Sequence, residues 1–91
     1  MYVYIITNNS NSVIYIGITN DIRRRIAEHK LGINDSFSKK YSLHKLVYCE
    51  KYDSAEKAIS REKQLKRWTR IKKDKLIEST NPNWSDLFEQ Y

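Results

Sequence analysis

Apolar positions open the chain in two short runs. Tyr2 to Thr7 and Val13 to Ile18 are dense in β-branched and aromatic side chains, and Asn8-Asn9-Ser10-Asn11-Ser12 between them is turn chemistry. The pattern predicts a β-hairpin. Both alternating sets of each run are apolar: Tyr2/Tyr4/Ile6 and Val3/Ile5 in the first, Val13/Tyr15 and Ile14/Ile16 in the second. Strands of that kind belong to a central sheet covered on both faces. Symmetric closure about Asn9 and Ser10 sets Tyr4 opposite Tyr15 and Tyr2 opposite Gly17, so the two phenols share a face. A glycine at the end of the second strand lets a ligand or another backbone approach closely.

Helical periodicity follows. Thr19-Asn20-Asp21 supplies capping residues for a short helix over Ile22 to Lys30, which Gly32 ends. The segment Ile33 to Ser42 is polar and mixed, a loop with at most one helical turn. His44 to Tyr52 reads as a third strand. Asp53-Ser54-Ala55-Glu56, a carboxyl analogue of the capping box, opens a helix that runs to about Trp68. Thr69 to Glu78 forms a further helix, broken by Asn81-Pro82-Asn83. The tail from Trp84 to Tyr91 packs down as a short helix through Trp84, Leu87 and Phe88. This order predicts an α+β fold, a three-stranded antiparallel sheet flanked by helices, as one domain over 1–91.

Charge narrows the partner. Seventeen Lys and Arg against eleven Asp and Glu leave a net +6, which favours an anionic partner. Arg23, Arg24 and Arg25 are consecutive, and Arg61 to Lys75 holds eight basic residues against Glu62 and Asp74. With Trp68 and many tyrosines beside that charge, the expected partner is nucleic acid. Cys49 is the only cysteine, which excludes a disulfide framework or a zinc set and fits a cytoplasmic setting. In Leu46-Val47-Tyr48-Cys49 it reads as a small buried hydrophobe. No apolar span is long enough for a transmembrane helix, and the N-terminus lacks the basic region of a signal peptide.

A carboxylate then breaks the pattern. Ala55, Ala58, Ile59 and Leu65 recur at helical spacing, and at about 100° per residue Glu62 falls on the same stripe. An ionised group turned toward a core is costly unless paired. Spacing supports an i,i+4 pair with Lys66, and it also admits a metal ligand at the floor of a cleft. On the earlier helix, Arg25 and His29 lie one turn apart and flank the inward stripe of Ile22 and Ile26. Arg23 and Arg24 project away, toward solvent or phosphate. For His29 alone, a satisfied histidine at a helix end is the default reading.

Taken together, Tyr2-Val3-Tyr4, Tyr15-Ile16-Gly17, Arg25, His29 and Glu62 resemble the GIY-YIG endonuclease superfamily. The stretches from Gly17 to Arg25 and from Ala58 to Lys66 resemble its small stand-alone bacterial branch, similar to the nuclease module of the excision-repair subunit UvrC. Nearly the whole chain is covered. The resemblance implies a three-stranded antiparallel sheet with flanking helices and magnesium-dependent (or manganese-dependent) hydrolysis of a phosphodiester, in DNA more than RNA. Residue by residue, Tyr4 stands at the tyrosine of the first motif, Tyr15 at that of the second, Arg25 at the helix arginine, His29 at the histidine one turn on and Glu62 at the metal-binding glutamate. Tyr2 departs from the first motif, replacing its glycine. Asn81 is a conceivable counterpart of an asparagine that the superfamily often carries after the glutamate helix.

Those residue types suit the chemistry. Hydrolysis needs an activated water, a Lewis acid and cations against a developing negative charge. One carboxylate is adequate for magnesium, which keeps waters and shares phosphate oxygens. Arg25 offers a bidentate grip on phosphate. Arg23, Arg24, Lys63, Lys66, Arg67, Arg70, Lys72 and Lys73 are the expected contacts to the nucleic-acid backbone. Tyr15, assisted by Tyr4, is a candidate general base. A phenol near pKa 10 must drop by roughly 2–3 units to serve at neutrality, about 3–4 kcal/mol of differential stabilisation. His29 is a rival base or relay. The expected enzyme is a monomeric endonuclease with a link to DNA repair. A catalytically silent nucleic-acid-binding module of the same fold explains the charge equally well, and an interaction domain built on the Trp84/Leu87/Phe88 tail is a third reading.

Overall fold

The computed structural model describes residues 1–33 and 36–91, so Asn34 and Asp35 of the expected loop lie outside the described residues. Strands β1 (Tyr2–Thr7) and β2 (Ile14–Thr19) are followed by α1 (Ile22–Leu31), α2 (Ser36–Tyr41) and β3 (Lys45–Lys51). Then come α3 (Ala55–Arg67), α4 (Arg70–Thr80) and a 3₁₀ turn over Phe88–Gln90. The sheet is antiparallel in the order β2-β1-β3, an α+β arrangement with β1 at the centre.

The hairpin closes two residues later than symmetry about Asn9 and Ser10 requires. Tyr4 pairs with Gly17, Tyr2 with Thr19 and Ile6 with Tyr15. The cause is a wide loop organised by Asn8, whose Oδ1 accepts from the backbone N–H of Ser12 at 3.0 Å and of Val13 at 3.2 Å. Asn11 within it adopts a left-handed φ of 59°, a conformation that asparagine tolerates. Because side chains alternate with period two, a two-residue shift leaves Tyr4 and Tyr15 on the same face as diagonal neighbours.

Both faces of the sheet are covered. Tyr4, Ile6 and Leu46 pack under Ile22 and Ile26 of α1, with Leu43 completing the cluster. Val3, Ile5, Ile16 and Val47 meet Ala58 and Leu65 of α3, Ile77 of α4 and Trp84 on the other side. The inward stripe of α3 is narrower than its sequence suggests. Ala55 and Ile59 are exposed, leaving Ala58 and Leu65 buried with Glu62 between them. Its N-cap is Ser54, which accepts from the Lys57 N–H; Asp53, the expected cap, instead pairs with the Lys57 ammonium at 3.1 Å. Asp21 caps α1 by accepting from the Arg24 N–H, and Gly32 ends it at φ 69° with its N–H turned back to the last carbonyls.

β3 carries a bulge. Ile5 pairs with Tyr48 and Ile6 with Leu46, so Val47 has no partner across the ladder. Its carbonyl is met instead by Asn81 Nδ2 at 3.0 Å. Asn81 is buried, its second Nδ2 bond runs to the Ser85 carbonyl at 2.9 Å, and its Oδ1 accepts from the Ser85 N–H at 3.0 Å. This asparagine is a clamp between the bulge and the tail. The free edge of β3 is covered by the same tail: the Leu46 N–H donates to Asp86 Oδ1 at 3.2 Å, and its carbonyl accepts from the Leu87 N–H at 2.7 Å. An edge closed in this way is protected from pairing with another chain. Trp84, Leu87 and Phe88 are thus occupied in packing, which removes the basis of the interaction-domain reading. Among the described residues, no helix is long and apolar enough to cross a membrane.

Candidate functional site

Tyr4 is the node of the α1 face. It is 1% exposed, and its hydroxyl lies 3.0 Å from His29 Nε2. Arg25 Nε donates to the same oxygen at 3.4 Å. Helical spacing brings this about, because Arg25 and His29 follow each other by one turn on the side of α1 that faces β1. Tyr15 stands beside them half-buried, its ring 6.4 Å from that of Tyr4 and 5.9 Å from that of His29. Gly17 makes room for this. A methyl group there would lie 2.5 Å from the Tyr4 hydroxyl and 2.6 Å from its Cζ. The close approach that a glycine permits is therefore made by the ring of Tyr4, the residue paired with it.

Three further residues join the cluster, and local sequence patterns single out only one of them. Ser38 Oγ on α2 is 2.7 Å from His29 Nδ1, with both side chains buried. The ring of Phe37, also on α2, lies 6.0 Å from that of Tyr15. Glu28 pairs with Arg25 Nη1 at 3.3 Å, and only this i,i+3 contact had a signal in its spacing.

Glu62 is carried by α3. α3 packs on β1 and β2 from the opposite side of the sheet. Among the described residues the charge partner of Glu62 is Lys66, at 3.5 Å, and no hydrogen bond or ion pair connects it with Tyr4, Tyr15, Arg25 or His29. Its side chain keeps 18% exposure. A lone, partly solvated carboxylate with a single exposed lysine beside it suits one hard cation that brings its own waters. Among the described residues, no group of three or more His, Cys, Asp and Glu side chains forms a ready cage for a metal.

The expected backbone contacts divide into committed and presented cations. Arg23 is committed: its Nη1 donates to the Tyr91 carbonyl at 3.2 Å, and its guanidinium sits 4.5 Å over the Phe88 ring. Arg70 is committed too. It holds Asp74 at 2.7 Å, donates to the Ser12 carbonyl at 2.9 Å and bonds the Asn11 carbonyl, clasping the hairpin loop to α4. Both guanidiniums thus serve folding rather than standing clear for phosphate. Lys66 is shared with Glu62. Arg24 is exposed on α1. Lys63 and Arg67 line an open groove of about 440 Å³ with Ser60, Gln64 and Trp68. Lys72 lies 4.2 Å over the Trp68 ring, and Lys73 is half-buried on α4.

A second polar knot ties β3 to α3. Arg61 Nε and Nη2 each reach Glu50 at 3.0 Å, the Tyr52 hydroxyl donates to Glu50 at 2.6 Å, and Tyr48 donates to it as well. Burial works against the Glu50 charge, but hydrogen bonds from Arg61, Tyr48 and Tyr52 outweigh it and hold the carboxyl below its ordinary range. Burial and the Glu50 contact push the Tyr48 phenol well above its ordinary range. Burial also pushes the Cys49 thiol up to about 11, the condition of an unreactive cysteine.

Comparison with known proteins shows the family of the chain. The GIY-YIG catalytic domain matches residues 1–75, and the chain belongs to that family of nuclease-type domains. It is 38% identical over 77 residues to a UPF0213 protein of Haloquadratum walsbyi, covering 85% of each chain. It is 34% identical over 90 residues to a UPF0213 protein of Streptococcus pneumoniae, covering 98% of this chain and 90% of that one. The solution NMR structure of a UPF0213 protein from Bacillus halodurans has the same fold, with a TM-score of 0.59 and 29% identity over 93% of this chain and 89% of that one.

Proposed function

We propose that the protein is a divalent-metal-dependent nuclease that hydrolyses phosphodiesters, with DNA as its substrate and a role in repair. One observation carries the reading: a guanidinium and an imidazole of α1 converge on the buried hydroxyl of Tyr4 on β1, with the ring of Tyr15 on β2 beside them. A core that needed only to be apolar would not assemble them, since each buried polar group costs free energy unless it is matched.

In this reading Tyr15, the more accessible phenol, faces the attacking water, and Tyr4 and His29 behind it receive the proton. Arg25 contributes its guanidinium charge to a phosphate oxygen, where negative charge develops as the water attacks. Magnesium or manganese, held by Glu62, would supply Lewis-acid stabilisation of that charge. Arg24, Lys63, Arg67 and Lys72 track the nucleic-acid backbone by salt-dependent contacts without sequence preference.

The test is incubation of the purified protein with single-stranded, duplex and branched DNA and with RNA, in Mg²⁺ or Mn²⁺ and in EDTA. Cleavage is expected with metal on DNA, and Glu62→Gln should lower it at least about 100-fold while leaving binding intact. The pairing of Glu62 with Lys66, apart from the Tyr4 cluster, favours one rival reading, a binding module without activity. Binding without cutting across the whole panel would establish that rival.

A further inference from the structure

We infer that the open cavity at the start of α1 receives one unpaired nucleobase of the strand whose phosphate meets the Tyr4 cluster, with the rings of Tyr91 and Tyr2 as its walls. The inference deepens the reading above by naming the form of nucleic acid that is taken. It rests on the nucleic-acid part of that reading, not on cleavage.

The cavity measures about 580 Å³, and its lining includes Tyr2, Asn20, Asp21, Arg24, Gln90 and Tyr91. Tyr2 is the residue that stands where the first motif has a glycine. Its ring lies 6.3 Å from that of Tyr91 at 82°, so the two meet edge to face and form a corner. Tyr91 keeps 39% exposure even though the Tyr2 ring, a side-chain hydrogen bond with Cys49 and the Arg23 guanidinium on its carbonyl all hold it. A ring fixed from several sides and open on another is a preorganised platform, and every base has a π-face to lay on it.

The polar lining separates a base from a phosphate. A phosphate asks for donors alone, whereas Asp21 brings a carboxylate to the cavity, and Asn20 and Gln90 bring amides that both donate and accept. A base edge presents donors and acceptors together. Arg24, exposed on the same wall, is placed to meet the adjoining phosphate. Position supplies the rest. Tyr2 and Tyr4 share one side of β1 and pack in the same cluster under α1, about 7 Å apart along the strand. At about 3.4 Å of rise per nucleotide, the cavity lies one or two nucleotides from the Tyr4 hydroxyl. A base inside a duplex is stacked and paired, so it enters such a cavity only when it is already unpaired or flipped out.

The experiment measures binding of the full chain, in EDTA, to three DNA duplexes of one sequence: fully paired, with a single bulged nucleotide, and with that bulged nucleotide made abasic. The bulged base should bind about tenfold more tightly than either of the others. Tyr91→Leu should abolish the difference, and Tyr91→Phe, which keeps the ring, should retain it. Equal affinities for the three duplexes overturn the inference, and so does a folded Tyr91→Leu that keeps the preference. If the leucine variant fails to fold, NMR of the wild type decides: the Tyr2 and Tyr91 ring signals should move with the bulged base and not with the abasic bulge, and identical shifts with both are a refutation. A wild type that prefers the bulged base yet cuts nothing in Mg²⁺ removes the hydrolase reading and leaves the inference standing. One that cuts all three duplexes without any preference in binding does the reverse, so the two failures are distinct.

Discussion

On the α3 side of the sheet, buried polar groups are held by partners that serve the fold; on the α1 side, polar groups are buried against one another. Glu50 collects donors from Arg61, Tyr48 and Tyr52, and Asn81 fills the gap that the β3 bulge opens. Tyr4, by contrast, spends its burial on His29 and Arg25, two groups that can carry charge. Such a cluster is stable only because each member satisfies the next, and that mutual dependence also lets a proton move among them. Two glutamates show the same division at close range. Glu50 is saturated with donors, whereas Glu62 has one exposed lysine and keeps 18% of its own side chain exposed.

The sharpest way to break the contrast is Gly17→Ala. The new methyl would collide with the end of the Tyr4 ring, which is buried and hydrogen-bonded and cannot swing away cheaply. Cleavage should fall more than about 1,000-fold, and the His29 ring signals should move with it. An unchanged rate would show that the Tyr4 hydroxyl is not the centre of the site. Next in size is Arg25→Ala, expected to lower the rate about 100-fold, against about two- to threefold for Arg24→Ala. Equal losses in a side-by-side assay would mean that the face of α1 matters less than its charge. Glu50→Gln then probes the other side. It should cost about 2 kcal/mol in denaturant unfolding with little change in rate per folded molecule, because it leaves Arg61 half-satisfied and touches nothing on the Tyr4 side.

The smallest effect is on pH. The folded Glu50 carboxyl lies below its ordinary value of 4.5, so its contribution is complete above that value. As pH falls below 4.5 and through the depressed folded value, that contribution disappears. The stability gap between wild type and Glu50→Gln should therefore be constant near neutrality and shrink in acid. A gap that widened in acid would contradict the assignment.

Local chemistry was well written in the chain, and long-range geometry was not. Asp21, Gly32 and Asn81 mark helix ends because capping and left-handed backbone depend on a few adjacent residues. The hairpin was legible but its register was not, since nothing distinguishes a tight turn from a loop drawn closed by the Asn8 side chain. The face shared by Tyr4 and Tyr15 could still be read, because a slip of two residues preserves it. Ser38 and Phe37 sit in a segment with no periodicity to mark them, and only the fold of α2 onto α1 and β2 gives them a role. Arg23 and Arg70 looked like free positive charge. A guanidinium reaches far enough to bond carbonyls more than fifty residues away, and composition cannot show that.

The bulge at Val47 makes the molecule unequally tolerant of length changes in β3. Leu46 and Cys49 look toward α1, while Val47, Tyr48 and Glu50 look toward α3, so two consecutive side chains share one side. Deleting Val47 would restore plain alternation and leave Glu50 beside Arg61, at the cost of some core and a stranded Asn81 amide. Inserting one more residue after it would also restore the alternation, but it would slide the downstream pairing with β1 by two residues and draw the Glu50 carboxylate away from Arg61. By this arithmetic, lineages of this domain should shed a residue here more readily than they gain one.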